Sequence, residues 1–134
     1  MSQENVELVR RFYDFFNRGN WIAWADQLDE AVEYVNGVEA LIPGTRHGRD
    51  ATLTAVQDFH GTWQAPHIEV EKLIATGEQV VALVRFSGTG RGSGVPTGRV
   101  FGDVITVRAG KILRFEWFGD PTQALEAVGL SEPE

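Results

Sequence analysis

The chain has 134 residues, of which 43% are hydrophobic, and it carries a formal net charge of -7 at pH 7. A chain of this length buries roughly two thirds of its unfolded surface, so one globular domain over residues 1–134 is expected. The absence of cysteine excludes disulfides and thiol chemistry. The acidic balance argues against nucleic acid and against an anionic membrane as partners, because both require a basic surface.

The spacing of the histidines and the length of the apolar runs argue against metal-binding, membrane-spanning and secreted proteins. His47, His60 and His67 lack the spacing of metal ligands, so we expect neither a metal nor a cofactor. No apolar run approaches the roughly 20 residues of a membrane span. The N-terminal residues MSQENVELVRR also lack the apolar core of a signal peptide. We therefore expect a cytoplasmic location.

Two helices are predicted at the start of the chain. Residues 3–18 place apolar side chains, several of them aromatic, at helical spacing. Gly19 suits the C-cap of this helix, and Asn20 can cap a second helix over Trp21–Leu28. An aromatic face of this width needs a broad partner surface, which a sheet provides.

A short strand and a third helix follow. Residues 31–35 predict a strand, and a helix is expected from about Asp50 to Trp63, with Pro66 after it. The intervening stretch from Val38 to Gly48 contains Pro43-Gly44 and predicts an irregular loop, a candidate rim or lid.

The second half of the chain has the pattern of four antiparallel strands. Strands are expected at about 67–76 and 79–87, and the run from Thr97 to Phe118 predicts a hairpin turned at Ala109-Gly110-Lys111. The glycine-rich run 88–94 precedes a strand rather than a helix, which argues against a phosphate-binding loop. Asp120 can cap a short final helix.

These elements predict an α+β fold: a cone-shaped, curved antiparallel sheet packed on three N-terminal helices, with a short C-terminal helix. Both faces of the central hairpin are largely apolar, so helices are expected on one face and a partner subunit on the other. We therefore predict a homodimer through the outer sheet face, where Arg114 and Glu116 suit interface contacts. The open end of the cone is a candidate pocket for a small molecule.

Asp103 is the most informative single residue. Strand alternation places it on the same face as Phe101 and Ile105. Burying a carboxylate costs several kcal/mol unless it is paired or neutral. Two explanations remain open. Asp103 is either a pocket acid or base whose pKa is displaced by apolar walls, or it is paired with Arg85, which alternation places on one strand face with Leu83 and Ser87.

His60 lies on the apolar stripe of the third helix. It is either a core residue or, with an unperturbed pKa near 6.5, the best available base. Tyr13, Trp24 and Trp63 are aromatics with a polar edge that can face a ligand or pack in the core. Five further residues are predicted as apolar pocket walls: Phe12, Phe16, Phe101, Phe115 and Trp117.

Three segments carry a family resemblance: ENVELVRRFYDFFNRGN near the start, HGRD at 47–50 and DVITVRAGKILRFEWFGDP near the end. With the order of elements, they make the chain similar to the SnoaL-like branch of the nuclear transport factor 2-like superfamily. The resemblance implies a cone-shaped α+β barrel, usually dimeric through the outer sheet face. It specifies chemistry weakly, because members include isomerases, cyclases, epoxide hydrolases, dehydratases and binding modules without catalysis.

Ketosteroid isomerase, a relative in this superfamily, pairs an Asp base with an oxyanion hole made of a Tyr and a neutral Asp. Motif matching carries the Tyr to Phe12, one residue before Tyr13, the base to Val35 and the neutral Asp to Asp103. Because neither Phe12 nor Val35 can exchange a proton, steroid isomerisation by this machinery is not expected. The polyketide cyclases of the branch use a pocket carboxylate, a role that Asp103 can fill by analogy.

The sequence thus leaves two functions open. In the first, the pocket binds a small apolar, cyclic or polyketide-like molecule, and Asp103 or His60 transfers a proton. In the second, the chain is a non-catalytic ligand-binding or dimeric scaffold module with Asp103 paired to Arg85. An open cavity with an unpaired titratable group favours the first, and a filled cavity favours the second.

Overall fold

The computed structural model describes residues 2–37, 40 and 43–130. Four helices and six strands occur in this part of the chain. In order they are α1 (Ser2–Arg18), α2 (Trp21–Asp26), β1 (Leu28–Asn36), β2 (Gly44–His47), α3 (Arg49–Gly61), β3 (Trp63–Thr76), β4 (Gln79–Gly90), β5 (Pro96–Arg108), β6 (Lys111–Phe118) and α4 (Pro121–Ala127).

The predicted capping signals between α1 and α2 and the predicted central turn are confirmed. Gly19 follows α1 with a φ of 66°, and the side chain of Asn20 accepts a hydrogen bond from the Ala23 N–H at the start of α2. Ala109 and Gly110 turn the β5–β6 hairpin with φ values of 51° and 74°. Paired left-handed residues match the twist of the flanking strands, which is why this turn holds the hairpin in register.

The expected loop between Val38 and Gly48 contains a strand. Within it, β2 pairs with β1 in antiparallel register, Val35 opposite Thr45, whereas positions 38, 39, 41 and 42 lie outside the described residues. The sequence of β2, GTRH, has no apolar alternation because this edge strand buries little side-chain surface. A strand held mainly by backbone pairing leaves no hydrophobic signal in the sequence.

The junction of α3 and β3 also differs from the expected one. Helix α3 ends at Gly61, so Trp63 begins β3, and Pro66 lies inside the strand rather than ending a helix. A register irregularity falls between Gln64 and His67, where Ala65 has a φ of 50°. Proline is tolerated there because β3 is an edge strand and its bulge needs no ladder hydrogen bond from that position.

The six strands form one curved, open sheet in the order β2-β1-β6-β5-β4-β3. The prediction of an antiparallel sheet holds for every neighbouring pair of the described strands except β1 and β6, which run parallel. Parallel neighbours require a long crossover, and here the whole chain from β2 to β5 separates them.

Helices cover both faces of this sheet. On the face that we call the inner face, which carries Phe101 and Ile105 of β5, the sheet packs against α1, α2 and α3. Asn17 of α1 joins this layer to β3, because its side-chain amide bonds both the N–H and the carbonyl of Ile68, at 2.7 and 2.8 Å. These contacts hold the aromatic side of α1 against the sheet.

The opposite, outer face was expected to be covered by a partner subunit. Helix α4 covers part of this face, burying Ala124 and Leu125 against Val81 and Val104. The homodimer through this face stays a prediction. No helix in the described part of the chain is long and apolar enough to cross a membrane.

Candidate functional site

A cavity of about 280 Å³ lies on the inner face, between the helices and the strands. Its wall is mostly aromatic. Eight of the nine residues predicted to contact a ligand line it: Phe12, Tyr13, Phe16, Trp24, Trp63, Phe101, Phe115 and Trp117. The cavity arises because the large side chains of α1 pack against a curved sheet and so cannot fill the space along its whole length.

Asp103 lies in this wall, with only 7% of its surface exposed, and its partner is Tyr13. The Tyr13 hydroxyl donates a hydrogen bond of 2.6 Å to Asp103 Oδ2. Burial raises the pKa of Asp103 to about 7, although the Tyr13 hydrogen bond opposes the shift. Burial, and then the Asp103 charge, raises the pKa of Tyr13 well above its ordinary value. Near neutral pH the carboxyl therefore exists in both protonation states, whereas the phenol stays protonated.

The predicted Arg85–Asp103 pair is wrong. In the β4–β5 register Ala82 lies opposite Asp103, and Val84 and Phe86 belong with Ala82 to the core of the inner face. Arg85 therefore points to the outer face, where it pairs with Glu71 at 3.5 Å and its side chain is 54% exposed. In the sequence VVALVRF both sets of alternate residues are largely apolar, so alternation alone does not show which face of the strand points inward.

His60 lies outside the described cavity wall. Its ring packs edge-on against Phe16 and Trp21, with centroid distances of 5.1 and 5.0 Å. Partial burial lowers the pKa of His60. The residues that α3 contributes to the described cavity wall are Val56 and Phe59, so His60 is not brought together with Asp103.

Four polar side chains of the wall were missed from the sequence: Tyr34, Asn36, Thr97 and Arg99. Tyr34 stacks on Phe115 at 4.3 Å, and burial raises its pKa to about 12. Asn36, two residues further along β1, also lines the cavity, as does Arg99 of β5. In β1, alternation indicates Tyr34 and Asn36 when the predicted strand is extended by one residue. In β5, alternation counted back from Asp103 indicates Arg99.

The polar groups of the wall differ in charge and in hydrogen bonding. The indole N–H groups of Trp24 and Trp63 are buried and have no hydrogen-bond partner among the described residues. Of the described lining residues, Asp103 is the only carboxyl and Arg99 the only basic group. In the described ranges no group of three His, Cys, Asp or Glu residues is placed to hold a metal ion.

An open curved sheet over three helices, with a cavity between the layers, is an architecture shared with known structures. An NTF2-like protein from Burkholderia thailandensis E264 is 25% identical, with a TM-score of 0.79, over 96% of this chain and 98% of that one. TerC, co-crystallised with polyporic acid, is 20% identical, with a TM-score of 0.77, over 93% of this chain and 97% of TerC.

A protein of ketosteroid isomerase-like fold from Catenulispora acidiphila DSM 44928, in complex with trimethylamine, is 18% identical. Its TM-score is 0.76, over 92% of this chain and 93% of that one. The fold is therefore that of the NTF2-like class. The family model described as the SnoaL-like domain matches residues 9–115, and the chain belongs to this family. No curated protein matches the chain.

Proposed function

We propose that the cavity binds a small, mostly apolar ring compound that carries an oxygen, and that Asp103 transfers a proton to or from this compound. One observation carries the proposal: a buried carboxyl, bonded by Tyr13, lies in an otherwise largely aromatic wall around an open volume. The volume, about 280 Å³, is near the lower limit of the roughly 300–1,000 Å³ found for small-molecule sites. A small cyclic molecule fits this size and this apolar surface.

The carboxyl is suited to proton transfer because its pKa, raised to about 7, matches a neutral working pH. In its ionised form Asp103 can remove a proton from a carbon next to a carbonyl group, and in its protonated form it can return one. Tyr13 holds one carboxyl oxygen by its hydrogen bond and leaves the other for the substrate.

A binding module without chemistry is the second candidate. It is favoured by the lack of another group to share the proton transfer: Tyr13 and Tyr34 have raised pKa values, and Asp103 is the only carboxyl among the described lining residues. In this case Asp103 only accepts or donates a hydrogen bond to the guest.

Binding is tested with 2-naphthol by titration calorimetry. Val56→Phe adds a ring to a buried position of the wall and should abolish binding, whereas Val95→Phe makes the same change at a site that is 56% exposed and should not. Thermal melting checks that both variants fold. If wild-type protein binds none of this probe, or if the two variants bind alike, the proposed pocket is wrong.

Proton transfer is tested with 2-tetralone in deuterated buffer, where NMR follows exchange of the hydrogens next to the carbonyl. Wild-type protein should accelerate exchange over buffer, and Asp103→Asn should not, while both bind the ketone. Binding without faster exchange by the wild-type protein would leave the binding module as the function.

A further inference from the structure

Arg99 is the one described lining residue whose charge the proposed function does not use. It belongs to the exposed start of β5, residues 96–100, which extends beyond the buried part of the strand. Its guanidinium carbon lies 5.1 Å from the centre of the Trp117 ring. This cation–π contact holds the guanidinium at the entrance of the cavity.

The position of Arg99 is defined relative to Asp103. The two residues are four apart on one strand, so they share the inner face with about 13 Å of strand between their α-carbons. Trp117 is the register partner of Asp103 on β6, and its ring lies against the Arg99 guanidinium. The Trp117 indole thus lies between Asp103 at the buried end of the cavity and Arg99 at its entrance.

The guanidinium is available to a guest. No carboxylate in the described ranges forms an ion pair with it. A guanidinium that stacks by its face leaves its N–H edge for a carboxylate, which it can bond with two parallel hydrogen bonds. The chain as a whole carries a net charge of -7, so a basic group at the entrance provides the local attraction that an anionic guest needs there.

We propose that Arg99 binds an anionic substituent of the guest. The substrates are then small ring compounds with a carboxylate at the entrance and with the carbon that exchanges its proton next to Asp103. This inference rests on the proposed function, because it concerns the orientation of the guest in the same cavity. It makes Arg99 a specificity-determining residue.

The test compares 2-naphthoate with 2-naphthamide, which has the same ring and nearly the same shape without the charge. Calorimetry on the wild-type protein should show the acid binding about fivefold more tightly, the size expected for a partly exposed charged pair. Arg99→Gln should remove the preference. Arg85→Gln makes the same change at the outer face and should keep it. High salt should weaken the preference in wild-type protein.

A second variant moves the guanidinium without removing its charge. A Cβ at Gly119 would lie 2.9 Å from Arg99 Nη2 and 3.1 Å from Trp117 Cη2, so Gly119→Ala should displace the Arg99 side chain and reduce the preference. Gly98→Ala is the matched control, because a Cβ there meets nothing within 4 Å.

The outcomes separate the two proposals. Equal affinity of wild-type protein for acid and amide would overturn the role of Arg99 and leave the pocket intact. Equal loss of the preference in the Arg99 and Arg85 variants would also overturn it, because the effect would then be one of general charge. Failure of wild-type protein to bind either compound would overturn the pocket and this inference with it.

Discussion

The two faces of β5 differ in packing although they come from alternate residues of one strand. Inner-face positions carry Phe101, Asp103 and Ile105 beside an open cavity. Outer-face positions carry Gly102 and Val104 in close contact with α4. A Cβ at Gly102 would lie 2.5 Å from that of Ala124, so there is no room for one more carbon at this position of the outer face.

This difference shows how one strand combines stability with a site. Small side chains on the outer face let a short helix approach closely and hold the strand in place. Large side chains on the inner face meet equally large ones from α1 and leave space that neither layer fills. A buried acid is tolerated at the edge of this space because Tyr13 bonds it and because it can be neutral.

The largest predicted effect concerns the inner face. Asp103 has a pKa of about 7 in the folded chain against an ordinary value of 3.8, so the folded state binds its proton more tightly than the unfolded state. Its contribution to the free energy of unfolding is therefore fully present below about pH 4, decreases as the pH rises, and is lost above about pH 7. Relative to Asp103→Asn, wild-type protein should lose roughly 4 kcal/mol over this range.

Urea unfolding of both proteins at a series of pH values measures this difference. Other titrating groups are common to both chains and cancel in the comparison. Parallel stability curves would show that Asp103 is not perturbed by burial.

On the outer face, Gly102→Ala should destabilise the chain by about 3 kcal/mol, because the new methyl group overpacks the contact with α4. The displaced neighbours are the Ala124 Cβ and, at 3.4 Å, the Pro121 backbone, neither of which can rotate away. Chemical denaturation measures the change, and Gly98→Ala in the same strand should cost little. Equal stabilities of the two variants would contradict close packing on this face.

Tyr13→Phe removes the hydrogen bond to Asp103 and should cost about 1.5 kcal/mol above the pKa of the carboxyl. Because that bond lowers the pKa of Asp103, the variant should titrate at a higher pH than the wild-type value of about 7. Carbon-13 NMR of the carboxyl reports the titration directly. Tyr34→Phe is the control, since its hydroxyl is not the one that donates to Asp103. A lower pKa in the Tyr13 variant would contradict the hydrogen bond.

The smallest effect is expected at the outer-face ion pair. Arg85→Gln should change stability by less than about 0.5 kcal/mol, because exposed pairs such as Arg85–Glu71 contribute little. Thermal and urea unfolding both measure this. A loss of several kcal/mol would instead indicate that Arg85 compensates a buried charge.

The sequence alone determined the local features of this protein. Gly19 marked the end of α1 and Asn20 the start of α2. The Ala109-Gly110 turn set the central hairpin, and alternation grouped Asp103 with Phe101 and Ile105. Motifs distributed along the chain were enough to indicate the SnoaL-like family. Each of these signals depends on residues close together in the chain or on a pattern that repeats over an element.

Only the tertiary structure decided how the elements combine. Tyr13 and Asp103 are 90 positions apart, and their hydrogen bond depends on how α1 docks on the sheet. Alternation divides β4 into two faces but does not determine which one turns inward, so Arg85 was misplaced. The parallel pairing of β1 with β6, the edge strand β2 and the position of Arg99 over Trp117 likewise depend on contacts between distant segments. Such contacts are selected by packing of the whole molecule, which no local pattern encodes.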